Sequence, residues 1–158
     1  MRAASATFSL EEPKSYRAIL WGGLIAGTMD ITAACVSSAL RGGRGPMGVL
    51  QSVASGLLGR DSFNGGLKTA ALGLMCHFFI AFVATTIYYA ASRQLKFLTQ
   101  WAIVCGVLYG AAVYFFMSFV VVPLSAAPFK IPFAMTGLGI HIFCIGLPIA
   151  LAVRRFSK

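Results

Sequence analysis

Four long apolar stretches separated by short polar connections leave this chain few ways to fold. Crossing about 30 Å of hydrocarbon takes a helix of about 20 apolar residues. The windows 16–40, 67–91, 99–122 and 132–153 meet that requirement, and charges or prolines bound each one. Lipid offers no partner for bare backbone groups, so the windows predict helices. A barrel would need short alternating strands, and the pattern has none. The expected fold is all-α: a polytopic membrane protein with four transmembrane helices in an up-down bundle. The membrane domain covers 16–153, between a polar N-terminal tail (1–15) and a basic C-terminal tail (154–158).

Charge usage agrees. Only 11% of the residues are charged, where a soluble domain carries about 25%. The first fifteen residues lack an apolar core and a cleavage site, so the first span is expected to serve as its own insertion signal. The net charge of +9 comes from basic residues that flank the spans and form no stripe interleaved with aromatics. That placement predicts contact with a lipid bilayer, anionic lipids included, and no nucleic acid.

Orientation follows from the same residues. Arg2, Lys14, Arg17, Arg93, Lys96, Arg154, Arg155 and Lys158 fall on one side; Arg41, Arg44, Arg60, Lys68 and Lys130 fall on the other. The positive-inside rule then places both termini in the cytoplasm. Trp21, Tyr88, Tyr89 and Trp101 lie toward span ends on that side, as interfacial anchors do.

The first loop opens with RGGRGP. Pro46 suits the first position of a helix, and Met47, Leu50, Val53, Ala54, Leu57 and Leu58 recur at helical spacing up to Gly59. Gln51, Ser52 and Ser55 fall on the opposite side. The expectation is a short interfacial helix over 46–58, with Arg41, Arg44, Arg60 and Lys68 at the lipid headgroups. The glycines do not make a nucleotide loop, because the GK[ST] ending and a preceding strand are missing. The third loop holds three prolines and is expected to be ordered.

Three spans carry one ionisable residue each at matching depth. Asp30 lies ten residues before Leu40, His77 nine after Lys68, and His141 nine after Pro132; Tyr114 lies nine before Pro123. At about 1.5 Å per residue all four sit near the midplane. Small residues share their faces: Gly27 and Ala34 with Asp30, Gly73 and Ala81 with His77, Gly106 and Gly110 with Tyr114, Gly137 with His141. Small residues mark close helix approach, and charge in lipid is costly, so the ionisable groups are expected to face one another. On the fourth helix the same spacing continues to Cys144 and Pro148. Pro148 cannot bond back to the Cys144 carbonyl, which leaves a kink or a free acceptor.

Several roles fit such a set. Asp30 can hydrogen-bond the histidines and fix helix register, each bond being worth roughly 1 kcal/mol. It can also tune histidines that titrate near neutrality, giving a proton or ion path or a pH sensor. His77 and His141 are candidate metal ligands: two histidines hold haem axially, and Asp30 and Cys144 add donors for a transition metal. Neither spacing is a known metal signature, and nothing in the sequence requires a cofactor. Cys35, Cys76, Cys105 and Cys144 form no CxxC pair and read as small apolar residues. No nucleophile elbow, zinc motif or dinucleotide loop occurs, so no enzymatic activity is expected. A structural or accessory subunit, as a homo-oligomer or in a larger membrane complex, is the alternative from another class.

The spacing of Gly106 and Gly110, the segment FVVVPLSAAP and the stretch GLGIHIFCIGLPIALAVRR carry a resemblance. With GGLIAG and His77 in the first half, the chain resembles the YagU-like bacterial inner-membrane proteins. The resemblance implies a helical protein of the inner (plasma) membrane, and it brings no catalytic residues.

Overall fold

The computed structural model describes residues 13–130 and 132–156. The tail 1–12 with Arg2, the Lys14 side chain, Ile131 and Lys158 lie outside the described residues. Everything regular within them is helical, with no strand. The helices are α1 (Pro13–Leu40), α2 (Gly45–Leu58), α3 (Gly66–Gln94), the single turn α4 (Phe97–Gln100), α5 (Ala102–Leu124) and α6 (Met135–Phe156). A 3₁₀ segment, Gly59–Asn64, joins α2 to α3. Four of these helices, α1, α3, α5 and α6, are long and apolar enough to cross a membrane.

Helix ends follow local chemistry. Pro46 stands in the first turn of α2, where its missing N–H costs nothing. Gly59 ends α2 at φ +62°, a conformation that side chains resist. The third long helix begins at Ala102 and not at 99, because the backbone breaks at Trp101 (φ −103°, ψ 43°) and leaves α4 in the turn. The fourth begins at Met135 and not at 132, because Ala134 is extended. The third loop is tied down: Ala126 N–H donates to the Gly56 carbonyl at 2.9 Å, and the Ser125 hydroxyl folds back onto Val122.

α1 packs against both α3 and α6, and α6 packs against α5. Contacts run in opposite directions along each pair: Gly22 meets Thr85 and Gly27 meets Phe78, while Gly106 meets Ala150 and Gly110 meets His141. Backbones touch where glycines allow it. A Cβ on Gly110 would lie 2.6 Å from the His141 carbonyl oxygen, and one on Gly146 would collide with the Gly106 carbonyl. Tyr109 bridges α5 to α3 by donating to the Ala84 carbonyl at 2.7 Å.

Two features lie outside the expectations. The first concerns α2. Its inner face is Gly48, Gln51, Ala54 and Ser55, while Met47, Leu57 and Leu58 are exposed. Gln51 Nε2 donates to the Gly66 carbonyl at 3.2 Å, so Gln51 and Ser55 face protein beside Ala54, and Met47, Leu57 and Leu58 face out. Gly73, which abuts Leu50 and Ala54 of α2, lies about 10 Å along α3 from its start. α2 therefore runs down the flank of α3. The second concerns α6. It is interrupted by a π segment, His141–Gly146, and α5 by another, Met117–Val121. Each closes with an N–H reaching back five residues, Val122 to Met117 and Leu147 to Ile142. A proline follows immediately in both cases, Pro123 and Pro148. A proline ring clashes with the carbonyl four residues back, and widening the preceding turn relieves that clash.

Candidate functional site: a polar cavity among the long helices

Asp30, His77, Tyr114 and His141 line one cavity of about 700 Å³ among the four long helices. Arg41, Pro132 and Thr136 are exposed and mark its open end, beside α2. Ala84 and Ile145 close the other end, and beyond them Tyr88, Ile149 and Val153 belong to a continuous core.

Each polar group has a physical setting. His77 projects from α3 to α1, with Nε2 2.9 Å from the Gly27 carbonyl oxygen. A carbonyl can only accept, so Nε2 carries the proton and Nδ1 is the free position. That Nδ1 lies 4.0 Å from Asp30 Oδ2. His141 has the opposite tautomer: Nδ1 lies 3.0 Å from the Gly137 carbonyl, so Nε2 is free. Its ring meets Tyr114 edge to face, centroids 5.3 Å apart. The Tyr114 hydroxyl accepts the Ala134 N–H at 2.8 Å, which pins the start of α6 to α5.

Asp30 is buried, with 8% of its surface exposed. Its Oδ1 is closed off from solvent and has no hydrogen-bond partner within the protein. The Ser118 hydroxyl, on the π segment of α5, is in the same position and lines the same cavity. Leaving a buried polar group unsatisfied costs about 1–3 kcal/mol. Among the described residues these two are the buried side-chain atoms left so, and both belong to one cavity. Sequence reasoning missed Ser118, since one serine in an apolar span carries no signal.

The remaining candidates separate. Arg41 lines the cavity; Arg44 and Arg60 line a second, outer chamber; Lys68 is exposed and lines neither. Cys144 and Pro148 do not line the cavity. The expected face continued an α-helical period through residues that form a π segment. The extra residue per turn moves the buried line to Ile145, Gly146, Ile149 and Val153. The metal reading finds no support in the geometry. No three His, Cys, Asp or Glu side chains among the described residues cluster as a metal site would, and His77 has its Nε2 committed to Gly27.

No family model, no curated protein and no solved structure matches this chain.

Proposed function

We propose that this is a multi-pass membrane protein, an up-down bundle of four spanning helices, that takes up and releases protons at Asp30, His77 and His141. The observation that carries the reading is the Asp30–His77 pair. Nδ1 of His77 and the carboxylate of Asp30 face each other at 4.0 Å, while the far nitrogen is held by a backbone carbonyl. One proton between them satisfies either partner: a neutral acid beside a bare nitrogen, or a carboxylate beside an imidazolium. The second histidine, with its own free nitrogen, lines the same cavity and adds a further site for a proton.

The basic residues put both termini in the cytoplasm by the positive-inside rule, so the cavity opens on the far side. The inner (plasma) membrane and kinship with YagU-like proteins fit this picture. α2 then reads as a re-entrant helix, its exposed Met47, Leu57 and Leu58 in lipid and its Gln51 side against α3. The test is proton uptake by the purified protein on mild acidification, read by a pH dye in weakly buffered detergent solution. Wild-type protein is expected to bind protons on acidification and release them on return. Asp30→Asn, nearly equal in size but unable to titrate, is expected to lower that uptake while the fold survives. Equal uptake in Asp30→Asn and wild type would refute the reading.

A structural role is the second reading, favoured by one contact: the His77–Gly27 hydrogen bond already ties α3 to α1. If bundle cohesion is the whole role, Asp30→Asn takes up as many protons as wild type and changes nothing but a small part of the stability.

A further inference from the structure

The outer chamber is a separate feature. It has a volume of about 550 Å³ and lies between the first turns of α2, the 3₁₀ segment and the third loop. Arg44 enters it from the start of α2 and Arg60 from the 3₁₀ segment. The described acids are Asp30 and Asp61, and neither lies within 4.0 Å of either guanidinium. Two arginines from different elements thus line one concavity with no carboxylate between them. The Arg44 guanidinium carbon stands 4.8 Å over the Phe63 ring. Stacking restrains the plane of the group and leaves its edge N–H groups free to donate. Ser38 adds a hydroxyl, the Ser52 hydroxyl being donated to the Val49 carbonyl at 2.6 Å, and Phe129 adds an apolar wall.

We propose that this chamber binds a phosphate-bearing anion on Arg44 and Arg60. The guanidinium fork matches phosphate oxygens in pairs, which a lysine cluster would not do. Ser38, Val49 and Ser52 line both this chamber and the inner cavity. An occupant therefore sits against the approach to Asp30 and narrows it. A phospholipid headgroup and free phosphate share this chemistry. The lipid source rests on the membrane reading above: the exposed Met47, Leu57 and Leu58 on α2 would then meet the acyl chains.

The test uses the full chain in neutral detergent and follows its thermal midpoint. Inorganic phosphate is titrated against sodium chloride at equal ionic strength, and dioctanoyl phosphatidylglycerol against dioctanoyl phosphatidylcholine. The midpoint is expected to rise with the phosphate-bearing anion over its control. Arg44→Gln and Arg60→Gln are each expected to weaken the apparent affinity by about tenfold or more, the usual worth of a charge-assisted bond. Lys68→Gln, outside the chamber, should leave it unchanged. A response to phosphatidylglycerol alone assigns the lipid headgroup, and a response to inorganic phosphate assigns the phosphate group itself. The proposal is overturned if neither ligand exceeds its control, or if Lys68→Gln loses as much as the arginine variants. Asp30→Asn should keep this binding, so failure here and failure of the proton reading are distinguishable.

Discussion

The same four helices build two unlike halves. Toward the chain termini, Ala18, Tyr88, Ala102, Ile149 and Val153 form a continuous core. Its polar groups are satisfied: the Tyr88 hydroxyl donates to the Leu98 carbonyl at 3.0 Å, and the Thr85 hydroxyl to Ala81 at 2.8 Å. Toward the first loop, the helices stand around a cavity, and Asp30 and Ser118 each keep an unpartnered oxygen. Composition does not separate the halves, since both are mostly apolar. Backbone does. Both π segments lie in or beside the open half and give it the wider turns and the shifted faces that leave space. One half holds the helices together, and the other trades packing for a cavity lined by a largely buried polar set.

That comparison can be broken at its seam first. Gly110 and Gly146 bring α5 and α6 to backbone contact between the two halves. Gly110→Leu should prevent that approach and cost several kcal/mol or the fold itself, against about 1–3 kcal/mol for ordinary overpacking. Yield of monodisperse protein reads it, and a well-folded Gly110→Leu would show that the seam is not tight.

Within the closed half, Ile149→Ala should cost about 2–5 kcal/mol, because the side chain is fully buried and leaves a void. Within the open half, Asp30→Asn should cost far less, since its carboxylate makes no close bond to lose. Unfolding in mixed micelles measures both. Equal losses would mean that the two halves are packed alike. A smaller effect, about 1 kcal/mol, is expected for Tyr109→Phe, which removes one hydrogen bond to Ala84 at the boundary.

The smallest predicted effect sharpens the site and not the scaffold. Nitrogen-15 spectra should show His77 protonated at Nε2 and His141 at Nδ1, as their carbonyl partners require. Asp30→Asn should perturb the His77 signals more than those of His141. Identical tautomers would contradict the site geometry.

Much of this was legible in the residues. The four long helices and α2 lie within a few residues of their predicted windows, because apolar length and flanking charge are strong signals. Asp30, His77, Tyr114 and His141 line one cavity because a polar group in an apolar span has few places to go. Three features were not legible. Which side of α2 meets protein was open, since periodicity gives two sides but does not rank them. The displacement of Cys144 and Pro148 came from a π segment that periodicity assumes away. Ser118 became visible only through its missing partner. A usable signal for the π segments did exist: Pro123 and Pro148 follow them at the same offset.

The central claim is that water reaches the Asp30 level from the first-loop end and stops short of the core. The direct measurement is labelling by a charged, membrane-impermeant thiosulfonate, on a background with the four native cysteines replaced by serine. Ala34 lines the cavity one turn from Asp30, and Ala26 is fully buried in the core two turns earlier on the same helix. Ala34→Cys should react when reagent is added on the first-loop side, and not from the side of the termini. Ala26→Cys should not react from either side. Labelling of both positions at similar rates, or of neither, would contradict the account.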